Sequence, residues 1–186
     1  MKRPPTEETQ WPDGAIFTVG HSTLPIERFI ELLETYGIQC VADIRTLPRS
    51  RHNPQFNEDA LQQALGAHGI EYVALRTLGG LRHVRKDSIN TGWRNTGFRG
   101  YADYMQTGEF AEGLEQLTAL SHTKRTAIMC AEAVPWRCHR SLVADALSVR
   151  GIAVVEILSS SDYRAHKLTP FAHVEGTAIT YPSEQS

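Results

Sequence analysis

Residues 126–158 read TAIMCAEAVPWRCHRSLVADALSVRGIAVVEIL, and this stretch decides the fold. Thr126-Ala127-Ile128-Met129 is short and apolar, as a strand covered on both faces is. Ser141 to Arg150 carries Leu142, Val143, Ala146 and Leu147 at helical spacing. Gly151-Ile152 then ends the helix and opens the β-rich run Ile152 to Leu158; glycine is favoured just past a helix because it accepts the left-handed conformation. The unit is strand, loop, helix, strand. Such units build parallel sheets with right-handed crossovers.

The same glycine–isoleucine punctuation recurs at Gly37-Ile38 and Gly69-Ile70, each after a helix-like stretch. Strands are therefore expected at Ile38 to Ile44 and Ile70 to Leu75, with another at Ala15 to Val19. Helical stripes are formed by Ile26, Phe29, Ile30 and Leu33; by Leu61, Ala64 and Leu65 behind Asn57; and by Phe110, Leu114 and Leu117 behind Thr107. The fold class is α/β: one domain with a mostly parallel sheet of about five or more strands flanked by helices. An incomplete βα barrel is the alternative, since parallel βα units can also close. Residues 15–182 form this domain, residues 1–14 are expected to be a loose polar arm and residues 183–186 a tail. Two segments break the rhythm. Arg45 to Phe56 is rich in Arg and Pro, and Leu78 to Gly100 in Gly and Arg. Both are expected to be long loops on the ligand-binding edge.

The chain has 186 residues, a formal net charge of −2 and 41% hydrophobic residues, which suits one globular domain and argues against a generally basic nucleic-acid binder. No apolar stretch approaches the ~20 residues of a membrane helix, so no membrane partner is expected. The odd count of three cysteines and the polar N-terminus point to free thiols in a cytoplasmic protein.

Chemistry-bearing residues gather at the expected strand ends. Gly20-His21-Ser22-Thr23 follows the first strand and precedes a helix, a setting that favours an anion, although Ser22 or Thr23 can equally serve as a plain cap. Asp43-Ile44-Arg45 ends the second strand, where alternation puts Asp43 and Arg45 on one side, either as a site or as an internal ion pair. Arg49 and Arg51 follow and can clamp a phosphate. The basic and aromatic residues between Arg82 and Arg99 resemble a stacking platform for a single strand, and equally a solvated loop.

The loop Cys130 to Arg140 admits three readings. Cys130 can be a nucleophile whose thiol is acidified by a helix N-terminus and nearby cations. The six residues between Cys130 and Arg137, with Pro135 among them, depart from the phosphatase spacing of Cys, five residues, Arg. Cys130, Cys138 and His139, with His21, can bind a metal, although zinc signatures use shorter Cys spacings. Lastly, the thiols can be packing groups, leaving Glu132 and His139 as the acid and base.

Gly20-His21-Ser22, Asp43-Ile44-Arg45 with Pro48, and Cys130-Ala131-Glu132 with Cys138-His139-Arg140 resemble the domain-of-unknown-function family numbered 488. The ending His166-Lys167-Leu168-Thr169-Pro170-Phe171 with Tyr181-Pro182 is similar too, so the likeness runs from about Ala15 to Pro182. The resemblance implies a compact α/β domain. It also groups His21, Asp43, Arg45, Cys130, Glu132, Cys138, His139 and Arg140 into one site, and it implies no reaction or cofactor.

The expectation is an enzyme acting on an anionic substrate: a phosphorylated small molecule, a nucleotide or a nucleic-acid end. His21, Asp43, Cys130, Glu132 and His139 would be catalytic. Ser22, Arg45, Arg51, Cys138 and Arg140 would bind the substrate. A noncatalytic module for nucleic acid or protein is the second expectation, and a Cys/His redox or metal protein the third. The sequence names no cofactor and no oligomeric state.

Overall fold

The computed structural model describes residues 11–183. Five strands are parallel: β1 (Ile16–Gly20), β2 (Cys40–Asp43), β3 (Glu71–Ala74), β4 (Thr126–Cys130) and β5 (Val154–Ile157). A sixth, β6 (Tyr163–Ala165), runs antiparallel to β5. The sheet is open, in the order β3-β2-β4-β1-β5-β6, so the barrel alternative does not hold. Helices α1 (Ile26–Thr35) and α2 (Glu58–Ala67) cover one face, while α3 (Thr96–Tyr104), α4 (Gly108–Thr123) and α5 (Arg140–Val149) cover the other. A hairpin of β7 (His173–Glu175) and β8 (Ala178–Thr180) follows.

The three Gly–Ile pairs do one job. At each, the isoleucine N–H donates to a leucine carbonyl five residues back: Ile38 to Leu33 (3.0 Å), Ile70 to Leu65 (3.0 Å) and Ile152 to Leu147 (3.1 Å). Gly37, Gly69 and Gly151 sit at φ of +66°, +71° and +80°. This is the Schellman ending, which satisfies orphan carbonyls and sets an apolar residue beside the last helical turn. Each unit is thereby turned into its next strand.

The pleat sorts the core. Phe17, Val19, Val41, Ala127, Met129 and Val155 face α1 and α2, whereas Ile16, Ala42, Ile128, Cys130 and Val154 face α3 to α5. The chain leaving β1 passes over β4 through α1 to reach β2. The chain leaving β4 passes over β1 through α5, on the opposite face, to reach β5. Adjacent strands whose connections leave to opposite faces create a crevice at their carboxyl ends. Here the two ends are Gly20 and Cys130, which are register partners.

Three departures from expectation have local causes. The segment Leu78 to Gly100 is not loop throughout: α3 begins at Thr96, capped by the Asn95 side chain, which accepts from the Gly97 and Phe98 amides. The remainder is fixed by buried Asp103, which accepts from the Arg85 amide, Ser88 Oγ and Asn90 Nδ2. Asn57 stands at the start of α2, but its side chain accepts from the Ser50 amide (2.7 Å) and pins the Arg-Pro loop instead. Of the expected arm, residues 1–10 lie outside the described residues, as do 184–186 of the tail; Trp11 packs edge-on against Phe17 and Tyr163.

Gly20 is the tightest point of the switch. A Cβ there would overlap the Glu132 carbonyl and stand 2.6 Å from Arg140 Nη1. Gly20→Ala is expected to destabilise the fold by about 1–3 kcal/mol, the range for overpacking. Urea denaturation would read this, and an unchanged midpoint would contradict the packing described.

Candidate functional site

An open cleft of about 670 Å³ lies at the β1/β4 switch point, lined by the loops after β1, β2, β3 and β4. That volume suits a small-molecule ligand. The pleat divides the residues around it into two groups.

The first group stands on the α1/α2 side. Arg45 forms a bidentate pair with Asp43, Nε to Oδ1 at 2.9 Å and Nη2 to Oδ2 at 2.7 Å. Nη2 also donates to the Phe56 carbonyl, and Tyr72 donates its hydroxyl to Asp43 at 2.6 Å. Asp43 is thus buried and saturated below the cleft, and the internal ion pair is the geometry found. Arg45 Nη1 remains turned to the cleft side, 3.4 Å from His21 Nε2. His21 stacks on Phe56 and gives its Nδ1 proton to the Ser22 carbonyl (2.8 Å), which leaves Nε2 as the acceptor. Burial, with the Arg45 charge adding to it, pushes its pKa below the ordinary value, so the ring is neutral. Ser22 has a left-handed backbone, φ +48°, and lines the cleft.

The second group stands on the α3–α5 side. Cys130 and Cys138 are both buried at the cleft floor, and Cys138 Sγ donates to Cys130 Sγ at 2.6 Å. Arg140, in the first turn of α5, is fully buried over Gly20. Its Nη2 donates to the Ala133 carbonyl (3.0 Å) and its Nη1 to Cys130 Sγ (3.6 Å), while Nε has no partner. No carboxylate pairs with it among the described residues. A buried cation without an anion is strongly unfavourable, and Cys130 Sγ, which accepts from Nη1, is placed to supply the charge. Burial alone would raise the Cys130 pKa. The hydrogen bond from Cys138, the Arg140 charge and the Glu132 backbone outweigh it and pull the thiol below its ordinary value. Cys138 is driven far upward, first by its bond to Cys130 and then by burial. Within the pair, these contacts favour the charge on Cys130 and the proton on Cys138. The third cysteine, Cys40, is buried in β2, where burial raises it to about 11.

His139 donates Nε2–H to the Ile44 carbonyl (2.9 Å) and turns Nδ1 toward Cys138 Sγ (3.6 Å). Burial, opposed by neighbouring carbonyls and aided by the Arg140 and Arg82 charges, lowers it to about 4. It is neutral, with Nε2–H engaged by the fold and Nδ1 an acceptor beside the Cys138 sulfur. Glu132 lines the cleft but is exposed, and no hydrogen bond or ion pair joins its carboxylate to His139 among the described residues. The expected acid–base pair is therefore not assembled. Nor does the proposed metal set converge: among the described residues no three His, Cys, Asp or Glu side chains are grouped to hold a metal ion.

Two expected anion contacts lie elsewhere. Arg140 is beneath the thiols and closed off from the cleft, and Arg51 is exposed outside the lining. Arg49 and Arg137 line the cleft instead, together with Ser50, Asn53 and Asn95. The Pro48–Arg51 stretch signalled such a role, but the Asn57–Ser50 bond fixes which arginine faces inward. The apolar rim, Leu47 and Leu81 at 68% and 78% exposure, carried no sequence signal. Of the aromatics of the basic segment, Phe98 lines the cleft and Trp93 is packed against its neighbours. Trp93 packs on Phe98, Phe171 and Tyr181, and Arg82 lies over Tyr104.

No described helix is long and apolar enough to cross a membrane. No curated protein and no solved structure matches the chain. One family matches residues 25–147, a span from the last residue before α1 through most of α5 that takes in every site residue above except His21 and Ser22. The chain belongs to that family, described as "Domain of unknown function DUF488".

Proposed function

We propose that the protein is a cysteine-dependent enzyme that draws an anionic substrate into the switch-point cleft and forms a covalent intermediate on Cys130. The observation that carries this reading is the buried Arg140 guanidinium, 3.6 Å from Cys130 Sγ and without a carboxylate partner. It supports a standing thiolate, the reactive form of cysteine, on the floor of a ligand-sized cleft. Arg49 and Arg137 supply positive charge to the lining, against the single carboxylate of Glu132. A phosphorylated small molecule or nucleotide fits that charge and volume.

In the step itself, Cys130 Sγ attacks the electrophilic centre and the leaving group departs with its bonding pair. Water then attacks the same centre, giving its proton to solvent, and the bond to sulfur breaks to return the Cys130 thiolate. Neither histidine is protonated, so the site favours leaving groups that depart without a proton. The nucleic-acid module is less well supported, because Trp93 is packed on Phe98, Phe171 and Tyr181, which leaves Phe98 alone of the segment's aromatics on the cleft.

The test is alkylation with iodoacetamide at about pH 7, followed by peptide mapping. Cys130 is expected to react at least about tenfold faster than an ordinary thiol, Cys40 not at all, and inorganic phosphate to slow the reaction at Cys130. Turnover of p-nitrophenyl phosphate, whose leaving group needs no acid, should vanish in Cys130→Ser. Labelling of Cys130 no faster than Cys40, or no protection by phosphate, would overturn the proposal.

A further inference from the structure

The mechanism above uses one thiol, yet the structure places two in contact. Cys138 Sγ lies 2.6 Å from Cys130 Sγ, and both are buried against the same cleft floor. Cys138 also stands two residues before the start of α5, with the Arg140 amide donating to its sulfur at 3.4 Å. It is held there from two sides. A nucleophile that needed only a hydrogen-bond donor could use a hydroxyl; a second sulfur adds the ability to close a bond.

We propose that Cys130 and Cys138 form a redox-active pair that reduces a small hydroperoxide, with Cys130 as the attacking sulfur and Cys138 as the resolving one. The proposal rests on the thiolate reading of Cys130. Cys130 Sγ attacks the terminal peroxide oxygen. The O–O bond breaks, an alcohol or water leaves after taking a proton from solvent, and Cys130 becomes a sulfenic acid. Cys138 then attacks the sulfenic sulfur, the S–O bond breaks, and the hydroxyl departs as water with the Cys138 proton. The sum is one peroxide reduced by two electrons and one Cys130–Cys138 disulfide formed. A dithiol reductant returns the pair to thiolate and thiol. The buried position of both sulfurs favours hydrogen peroxide or a short alkyl hydroperoxide over a bulky disulfide as oxidant.

Arg140 gives the pair a direction. Oxidation removes the Cys130 charge and leaves the guanidinium with the Ala133 carbonyl alone. A buried, unpaired cation disfavours the oxidised state. A dithiol whose reduced form is stabilised in this way makes an easily reduced disulfide. The pair is therefore suited to turning over, and poorly suited to serving as a permanent staple.

The experiment treats the reduced full chain with equimolar hydrogen peroxide, counts free thiols, and maps the peptides with and without dimedone, which traps sulfenic acid. The wild type is expected to fall from three free thiols to Cys40 alone, with a Cys130–Cys138 cross-link that dithiothreitol reverses. Cys138→Ser should instead give a dimedone adduct at Cys130 and progress to irreversible sulfinic acid. In a dithiothreitol redox buffer, Arg140→Leu should shift the pair toward the disulfide. If Cys138→Ser forms the adduct but the wild type accumulates it equally and forms no cross-link, the resolving role falls and the thiolate reading survives. If neither protein reacts at Cys130, both fall.

Discussion

Arg140→Leu is expected to slow iodoacetamide labelling of Cys130 at about pH 7 by at least tenfold, while the protein stays folded. One unit of pKa is about 1.4 kcal/mol of preference for the thiolate, and it changes the thiolate fraction tenfold in the range where the thiol is mostly protonated. The charge 3.6 Å away is the only full cation in contact with Cys130 Sγ among the described residues, so its loss removes more than that. Removing one partner of a buried ion pair ordinarily costs about 3–5 kcal/mol, because the other charge is stranded. Here the stranded group is a thiolate that can take a proton and become a small apolar side chain. The remaining loss is one hydrogen bond to the Ala133 carbonyl, about 1 kcal/mol. The rate of labelling against pH reads the thiol's titration directly. Its midpoint should move to higher pH in Arg140→Leu and less so in Arg140→Lys. An unmoved profile with a native circular-dichroism spectrum would show that Arg140 does not hold the thiolate.

That arrangement was legible in the sequence only in part, and the reason is physical. Secondary structure followed from local rules. The Gly–Ile endings, the apolar strands and the helical stripes each depend on residues within one or two turns of each other, and the five parallel strands appear where those rules put them. Strand order depends on which face each helix covers, a property of the assembled core, and so the open sheet could not be told from a barrel. The short β6 and the β7–β8 hairpin lack an apolar period, and α3 hides behind Gly97 and Gly100 in a segment that reads as loop. The site shows the same division. His21, Asp43, Arg45, Cys130 and Cys138 stand at strand ends or beside them, and strand ends are visible. The burial of Arg140 is not, since an arginine beside the cysteine loop reads as a substrate contact facing the ligand. The guanidinium fits there because Gly20, at the end of β1, has no side chain in the space it takes.

His166→Ala is expected to cost about 3–5 kcal/mol at neutral pH, the largest stability effect among the substitutions considered, although residue 166 lies far from the cysteines in sequence. Asp145 in α5 and Glu156 in β5 are both buried carboxylates, and the imidazole joins them, Nε2 to Asp145 at 2.7 Å and Nδ1 to Glu156 at 2.6 Å. Burial opposes the imidazolium, but the two carboxylates outweigh it and raise His166 to about 9. The other groups around them are Arg164 in β6, which donates to Glu156 at 2.6 Å, and the neutral donors Thr169 and Tyr181 on Asp145. Without the ring, Glu156 keeps Arg164, whereas Asp145 keeps only neutral partners. The C-terminal segment would then lose its charged bond to α5, the helix that carries Arg140, and hold it through Thr169 and Tyr181 alone. The pH dependence follows from the sign of the shift. A base whose pKa is raised on folding stabilises fully below its unfolded value of about 6.5, and that contribution fades as the pH climbs through the folded value of about 9. Glu156, held below its ordinary range by His166 and Arg164 against the effect of burial, acts at the other end, losing its contribution as the solution turns acid. Urea denaturation of wild type and His166→Ala at about pH 6 and about pH 10 separates these effects. The gap between the two proteins should be widest at the lower pH and shrink at the higher one, and a gap that is the same at both would mean that the ring serves by packing and not by its charge.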